Sequence, residues 1–325
     1  MAYESIDCID AGTEYCPCYL AETNDCIICS QLQGKEFCDC INWKGVCIYQ
    51  EYIWNSSKKE DIRKGYSADI LEKKLINDNA LYLKLKVTRT LSRELNHPGA
   101  YIFLKSESHP YFFDVPMSIM DSDEINETID LLIEIIGAKT KVISKIDDKL
   151  IVRGPYWNGV LGIKNLKVVK NSNCLIIARG VSQAPAVIVA KKLCFSGNRV
   201  TVLLDPGKSN TDISREYFES MGCTVLDTKL LDGRKLDDEA SKQIRNIIGE
   251  KNMKFIFSSG SDLLHKGIIN IKNDIDKSIL FSCTNNSNIC CGEGICGSCI
   301  VRLNDNRKIK SCKAQVSPED LFGEG

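Results

Sequence analysis

Cys291, Cys296 and Cys299 stand at C-x4-C-x2-C, and Cys312 supplies a distant fourth thiolate. This spacing suits a [2Fe–2S] cluster, in which three thiolates reach the irons from one tight loop and the fourth returns from outside it. Gly292, Gly294 and Gly297 give the loop the backbone freedom it needs to bring N–H groups close to sulfur. Ile300–Leu303 and Arg307–Lys310 flank Asn304-Asp305-Asn306, a pattern that predicts a hairpin carrying Cys312 back. A structural zinc site is the alternative, although it usually shows paired C-x2-C knuckles. Cys290 competes with Cys291 as ligand, and the C-x4-C step favours Cys291.

Eight more cysteines crowd the first 50 residues: Cys8, Cys16, Cys18, Cys26, Cys29, Cys38, Cys40 and Cys47. They form C-P-C, C-x2-C and C-D-C pairs that match neither common zinc fingers nor a C-x2-C-x2-C cluster run. Apolar periodicity is too sparse here for an independent core, so metal should brace residues 1–65. One or two iron–sulfur clusters, zinc, or a ligand-free redox segment all remain open. Cys174, Cys194 and Cys223 sit in apolar patterns and read as small buried hydrophobes.

The elements that must position these groups follow from pattern. Residues 55–72, rich in Lys, Ser, Glu and Asp, read as a solvated linker or short helix. Leu81–Val87 alternates as a strand, and Tyr101–Leu104, Phe112-Phe113, Met117–Met120 and Thr128–Ile136 follow between Pro, Gly and Asp turns. Short strands of this kind predict a small antiparallel barrel over residues 75–166. Beyond residue 170 the pattern alternates. Strands at Cys174–Ala178, Val200–Leu204, Thr224–Leu226 and Phe255–Phe257 are separated by helical stretches at Ala184–Phe195, Ser214–Met221 and Asp237–Ile248. That alternation predicts a parallel, doubly wound sheet over residues 170–275, with the cysteine loop in a module at 276–325.

The 325 residues suffice for two or three small domains. With 42 basic against 43 acidic residues, no nucleic-acid or membrane-surface footprint stands out. No apolar stretch is long enough to span a bilayer, and a cytoplasmic location is expected. In that compartment seventeen cysteines argue for metal rather than disulfides. His97 and His109 each precede a proline and read as turn residues. No catalytic residue is assigned; neither a Ser–His–Asp set nor paired carboxylates stand out, which argues against hydrolytic chemistry.

Several stretches together resemble the ferredoxin–NADP reductase superfamily. Pro98–Leu104 resembles its P-G-Q-F strand, and Val115-Pro116-Met117-Ser118 its R-P-x-S flavin motif. Gly137-Ala138-Lys139-Thr140 resembles its G-x-G-T pyrophosphate turn, and Gly154–Gly159 its G-P-x-G-N-G passage between domains. Leu132, Ile133 and Glu134 fall on the strand that lies along the flavin in that family. The resemblance covers roughly residues 80–320. Within the superfamily it is to iron–sulfur flavoprotein electron-transfer subunits, such as that of dihydroorotate dehydrogenase and the small subunit of NADH-dependent ferredoxin:NADP oxidoreductase. It implies FAD, held by Ser118, Lys139 and Thr140 with the backbone around Pro116 and Gly137, and a partner oxidoreductase subunit or ferredoxin in a hetero-oligomer.

The departures have consequences. Val115 replaces the motif's arginine, leaving Lys139 as a candidate for charge compensation. The nucleotide motif G-G-G-I-G-x-A-P becomes Ala178-Arg-Gly-Val-Ser-Gln-Ala-Pro185, which keeps only Gly180, and C-G-P becomes Ser258-Ser-Gly-Ser261. Asp205 is the weak candidate for a ribose diol. A degenerate NAD(P) site is therefore expected. A self-sufficient NAD(P)H-dependent reductase and a metal-holding scaffold without flavin are the competing readings.

Overall fold

The computed structural model describes residues 6–40, 43–60, 63–110 and 114–323; Phe112 and Phe113 lie outside them. The fold is mixed α/β, with one antiparallel, barrel-like sheet and one mostly parallel sheet.

The antiparallel sheet has seven strands, in the order Val115–Ser118, Tyr101–Lys105, Lys149–Tyr156, Gly65–Asn77, Ala80–Lys86, Thr128–Glu134 and Asp121–Asp123. Strand Gly65–Asn77 curls the sheet. Its first part pairs with Lys149–Arg153 and its second with Ala80–Leu85. Leu81, Leu83, Leu85, Ile102, Leu104, Ile129, Leu131 and Val152 fill the interior, as the alternation of Leu81–Val87 predicts. The reading of 55–72 as linker or short helix is corrected here. Residues from Gly65 onward are a long barrel strand, and the barrel begins there.

The second sheet runs Thr224–Asp227, Arg199–Asp205, Asn173–Arg179, Met253–Ser259 and Leu280–Thr284, all parallel, with Val160–Leu161 antiparallel at the edge. Helices Gln183–Phe195 and Arg215–Ser220 cover one face, and Asp238–Lys251 and Asp262–Ile275 the other. Helix Gln183–Phe195 is apolar on almost every side because it is wedged between the sheet and the barrel, where Ile188 joins the barrel core. Strand Leu280–Thr284 extends this sheet past the boundary expected at 275, so the cysteine loop starts only after Thr284.

The N-terminal segment forms a small core of Ala21, Ile28, Leu32 and Ile48. Strand Asp7–Cys8 pairs antiparallel with Ala314–Gln315, so the two ends of the chain are joined. No helix among the described residues is long and apolar enough to cross a membrane.

Candidate functional site

The loop after Thr284 is shaped by glycines that touch their neighbours. Gly292 has φ +74, and a Cβ there would lie 2.6 Å from the Tyr156 ring and 2.9 Å from that of Phe103. Gly294, at φ +77, rests on Leu20 of the N-terminal segment. The expected hairpin is present, with Ile300–Arg302 against Lys308–Lys310. It returns Cys312 to the loop, and Ser311 N–H donates to Cys299 C=O at 3.1 Å.

The sulfurs of Cys299 and Cys312 lie 3.2 Å apart, both residues buried. This contact eases loss of the first proton, pushing the Cys299 thiol below its ordinary range and Cys312 above. The Cys291 sulfur accepts the Glu293 backbone N–H at 3.3 Å. Cys296 and Cys290 are exposed, and Cys283 is buried in its strand, apart from the loop. Cys299 and Cys312 are thus brought together, whereas Cys291 and Cys296 stand outside that pair. Among the described residues no group of three or more His, Cys, Asp or Glu is arranged to hold a metal. The donor set nonetheless fits an iron–sulfur group in its chemistry: four thiols, three from a glycine-shaped loop and one from a hairpin, with a backbone N–H already on sulfur.

Beneath the loop is a charge cluster that spacing did not reveal. The buried Lys313 ammonium lies 2.5 Å from Asp10 and 3.0 Å from Glu293. Arg63 forks onto both oxygens of Asp10 at 2.8 and 2.9 Å and donates Nε–H to Pro155 C=O. Its guanidinium lies over the rings of Tyr15 and Tyr156. Tyr156 donates to Glu293 at 2.7 Å, and Arg153 pairs with Asp114 at 3.0 Å. Despite burial, the Lys313 and Arg63 cations hold Asp10 and Glu293 below the ordinary carboxylate range. The sequence did carry a hint: Glu293 lies inside the cysteine loop and Lys313 follows Cys312. Trp157 packs between the barrel core and the N-terminal segment. It meets Tyr15 edge-on at 5.3 Å and donates to Glu94 C=O.

Around the N-terminal cysteines the expectation that the segment lacks a core of its own is corrected, since it has a small one and docks on the C-terminal module. Cys8, Cys16, Cys18, Cys26, Cys29 and Cys47 are half-buried, while Cys38 and Cys40 are exposed with sulfurs 3.1 Å apart. Burial pushes Cys16 up to about 12 and raises Cys8, Cys18 and Cys26.

The residues expected to hold FAD fall into two groups. Lys139 Nζ donates to Asp114 C=O at 2.8 Å, which ties the Gly137–Thr140 turn to the edge strand Val115–Ser118. Thr140 Oγ1 accepts from Ile136 and Gly137 N–H, while Ile136, Gly137 and Ala138 stay exposed. In this group Val115, Pro116 and Ser118 are half-buried and Met117 is buried. Gly154 backs onto Ile102, one strand away. Elsewhere, Glu134 and Gly180 line a cleft of about 650 Å³ with Arg179, Lys208 and Asp262. Leu132 packs between barrel and helix, and Ile133 points into the barrel core, so their side chains serve packing. The tied turn, open to solvent at Ile136–Ala138, suits a pyrophosphate-bearing cofactor.

At the end of the parallel sheet, Asp205 is engaged on both oxygens. Arg179 Nε and Leu230 N–H donate to Oδ2 at 2.9 and 2.8 Å, and Gly207 N–H donates to Oδ1 at 2.8 Å. The helix that follows Gly180 opens with a buried Gln183, which donates to Thr211 C=O and accepts from Ser214. His265 is buried beside Ser258. Asn286 Nδ2 and Thr284 Oγ1 each lie 3.2 Å from its Nε2, and Ser258 Oγ lies 2.7 Å from its Nδ1. Burial holds this imidazole neutral, with its pKa lowered to about 3.

An antiparallel barrel joined to a parallel sheet in this manner is the ferredoxin–NADP reductase-like fold. The particular likeness is distant. In sequence the chain is similar to the electron transfer subunit of dihydroorotate dehydrogenase B (NAD(+)) from Streptococcus pneumoniae, 23% identical over 233 residues, 69% of this chain and 87% of that relative. The corresponding subunit of Enterococcus faecalis is 25% identical over 147 residues, 45% of this chain and 55% of the relative. Among solved structures, that of an NADH-dependent reduced ferredoxin-NADP oxidoreductase matches with a TM-score of 0.62 at 19% identity, over 78% of this chain and 89% of that chain. The ferredoxin reductase in carbazole 1,9a-dioxygenase matches with a TM-score of 0.52 at 12% identity, over 68% and 69%. No family model matches the chain.

Proposed function

We propose that this chain is the electron-transfer subunit of a flavin- and iron–sulfur-dependent oxidoreductase. FAD would be held by the Val115–Ser118 edge strand and the Gly137–Thr140 turn, and a [2Fe–2S] cluster by Cys291, Cys296, Cys299 and Cys312. Bound together, the two groups would exchange two-electron for one-electron chemistry. The chain's own residues position them and exclude water. The observation that carries the reading is the seating of the cysteine loop on Phe103 and Tyr156 through Gly292. Phe103 is the register partner of Pro116, so the thiols lie one strand from the proposed flavin strand. The likeness to dihydroorotate dehydrogenase electron transfer subunits supports a catalytic partner subunit. Cys8–Cys47 would add a metal centre beside this module, extending the electron path or docking the partner.

The ion pair of Asp205 with Arg179 and the buried Gln183 at the helix start favour a partner, rather than NAD(P)H, as electron source. The open cleft along Arg179 and Lys208 favours the second reading, a self-sufficient NAD(P)H-dependent reductase. Anaerobically purified protein should release FAD, show a [2Fe–2S] EPR signal after dithionite, and keep its flavin colour when NADH or NADPH is added. Rapid stoichiometric bleaching by either nucleotide would favour the second reading. Absence of both the chromophore and the signal would overturn both.

A further inference from the structure

Among the described residues, four buried side-chain polar atoms lack a hydrogen-bond partner: the hydroxyls of Tyr66, Tyr101 and Ser311, and Asp130 Oδ1. Asp130 Oδ1 has the Lys84 ammonium 3.5 Å away. Tyr66 packs against the barrel core. The other two lie beside the cysteine loop, Ser311 next to Cys312 in the chain and Tyr101 on the rings beneath Gly292. Tyr101 is 2% exposed, stacked on Tyr156 at 5.2 Å and edge-on to Phe103 at 5.9 Å, the two rings that carry Gly292. Ser311 is fully buried and precedes Cys312. Its N–H is spent on Cys299 C=O, and its carbonyl accepts from Asn158 and Asn285. Its main chain is satisfied and its hydroxyl is not.

An O–H donor left unpaired in a dry site costs about 1–3 kcal/mol, and two such donors beside one cysteine loop call for an acceptor there. The protein atoms nearby cannot supply it. Lys313 and Arg63 only donate, and the Glu293 carboxylate is taken by Lys313, Arg63 and Tyr156. Sulfur can. Thiolate and sulfide atoms of an iron–sulfur group accept O–H bonds, and donors on those sulfurs favour the form carrying the extra electron.

We propose that the Tyr101 and Ser311 hydroxyls donate hydrogen bonds to sulfurs of a [2Fe–2S] cluster ligated by Cys312, and thereby raise its reduction potential. This deepens, and rests on, the cluster reading above. The two residues are positioning and tuning groups. Neither transfers a proton, and each holds its own while the cluster takes up one electron.

The test uses the full chain, reconstituted anaerobically with iron and sulfide and titrated with EPR detection. Tyr101→Phe and Ser311→Ala should each shift the oxidised-to-reduced equilibrium toward the oxidised form by about three- to tenfold, the worth of one hydrogen bond. Tyr66→Phe, which removes an equally lone hydroxyl from another part of the molecule, should leave the midpoint unchanged. Iron–sulfur stretching bands of the wild type should move in D2O and respond less in Tyr101→Phe. Unchanged midpoints in both variants, at full cluster loading, would overturn the inference while leaving the cluster reading intact. A wild-type protein that takes up no cluster would instead remove the cluster reading, and this inference with it.

Discussion

His265 makes the chain's response to acid partly a one-residue matter. Its ring is buried between Ser258, Thr284 and Asn286, and its folded pKa is about 3 against an ordinary value of 6.5. The unfolded chain therefore binds a proton that the folded chain refuses. Stability from this group is complete above about pH 6.5 and is lost as pH falls toward about 3, at about 1.4 kcal/mol per pH unit within that window. The paired carboxylates Asp10 and Glu293, whose folded pKa values are depressed, add their losses only further down, as pH drops through the ordinary carboxylate range. Urea denaturation at about pH 7, 6 and 5 should show this slope in the wild type, and His265→Gln should flatten it. An identical slope in both would mean that another group takes up the proton.

At the scale of elements, the loop–barrel contact depends on missing side chains. Gly292 combines a left-handed φ with ring atoms under 3 Å from where a Cβ would sit. Gly292→Ala should lift the loop from Phe103 and Tyr156 and cut iron and sulfide retained per chain several-fold, measured on anaerobically reconstituted protein. Far-UV circular dichroism should stay close to wild type, since both sheets lie elsewhere. Elements differ in how far their sequences disclose them. The parallel-sheet strands read clearly because burial on both faces makes them continuous apolar runs, as in Cys174–Ala178. The cysteine hairpin read clearly from Asn304-Asp305-Asn306. Strand Gly65–Asn77 did not, because only Ala68 along it is buried while Asp69, Leu71, Lys73 and Lys74 face or approach solvent. A strand whose stability comes from backbone pairing on both edges leaves little hydrophobic alternation to detect. The same logic explains the site. Ligand spacing is local and legible, whereas the acceptors and cations that surround it come from distant strands.

At the scale of the whole molecule, the chain is closed on itself by charge. Asp10 and Lys313 are 303 residues apart in sequence, yet Lys313 is fully buried between Asp10 and Glu293, and Arg63 completes the cluster from the start of the barrel. Three parts of the chain, the N-terminal cysteine segment, the barrel and the C-terminal cysteine module, therefore meet at one desolvated knot. Such a knot adds little net stability while intact, because desolvation offsets much of the attraction, but it is costly to break from one side. Asp10→Ala would strand the Lys313 ammonium with Glu293 as its remaining partner and leave Arg63 without its fork. The expected loss is about 3–5 kcal/mol in chemical denaturation. Because Asp10 belongs to the docked segment, the same variant should expose residues 6–60 to limited proteolysis before the rest of the chain is cut. Asp10→Ala combined with Lys313→Met removes both charges and should recover part of the lost stability, since an apolar side chain of similar length fills the site without a stranded cation. Equal protease resistance of wild type and Asp10→Ala would show that the apolar contact of Leu20 with Gly294 and the Asp7–Cys8 strand pairing hold the segment without the charges.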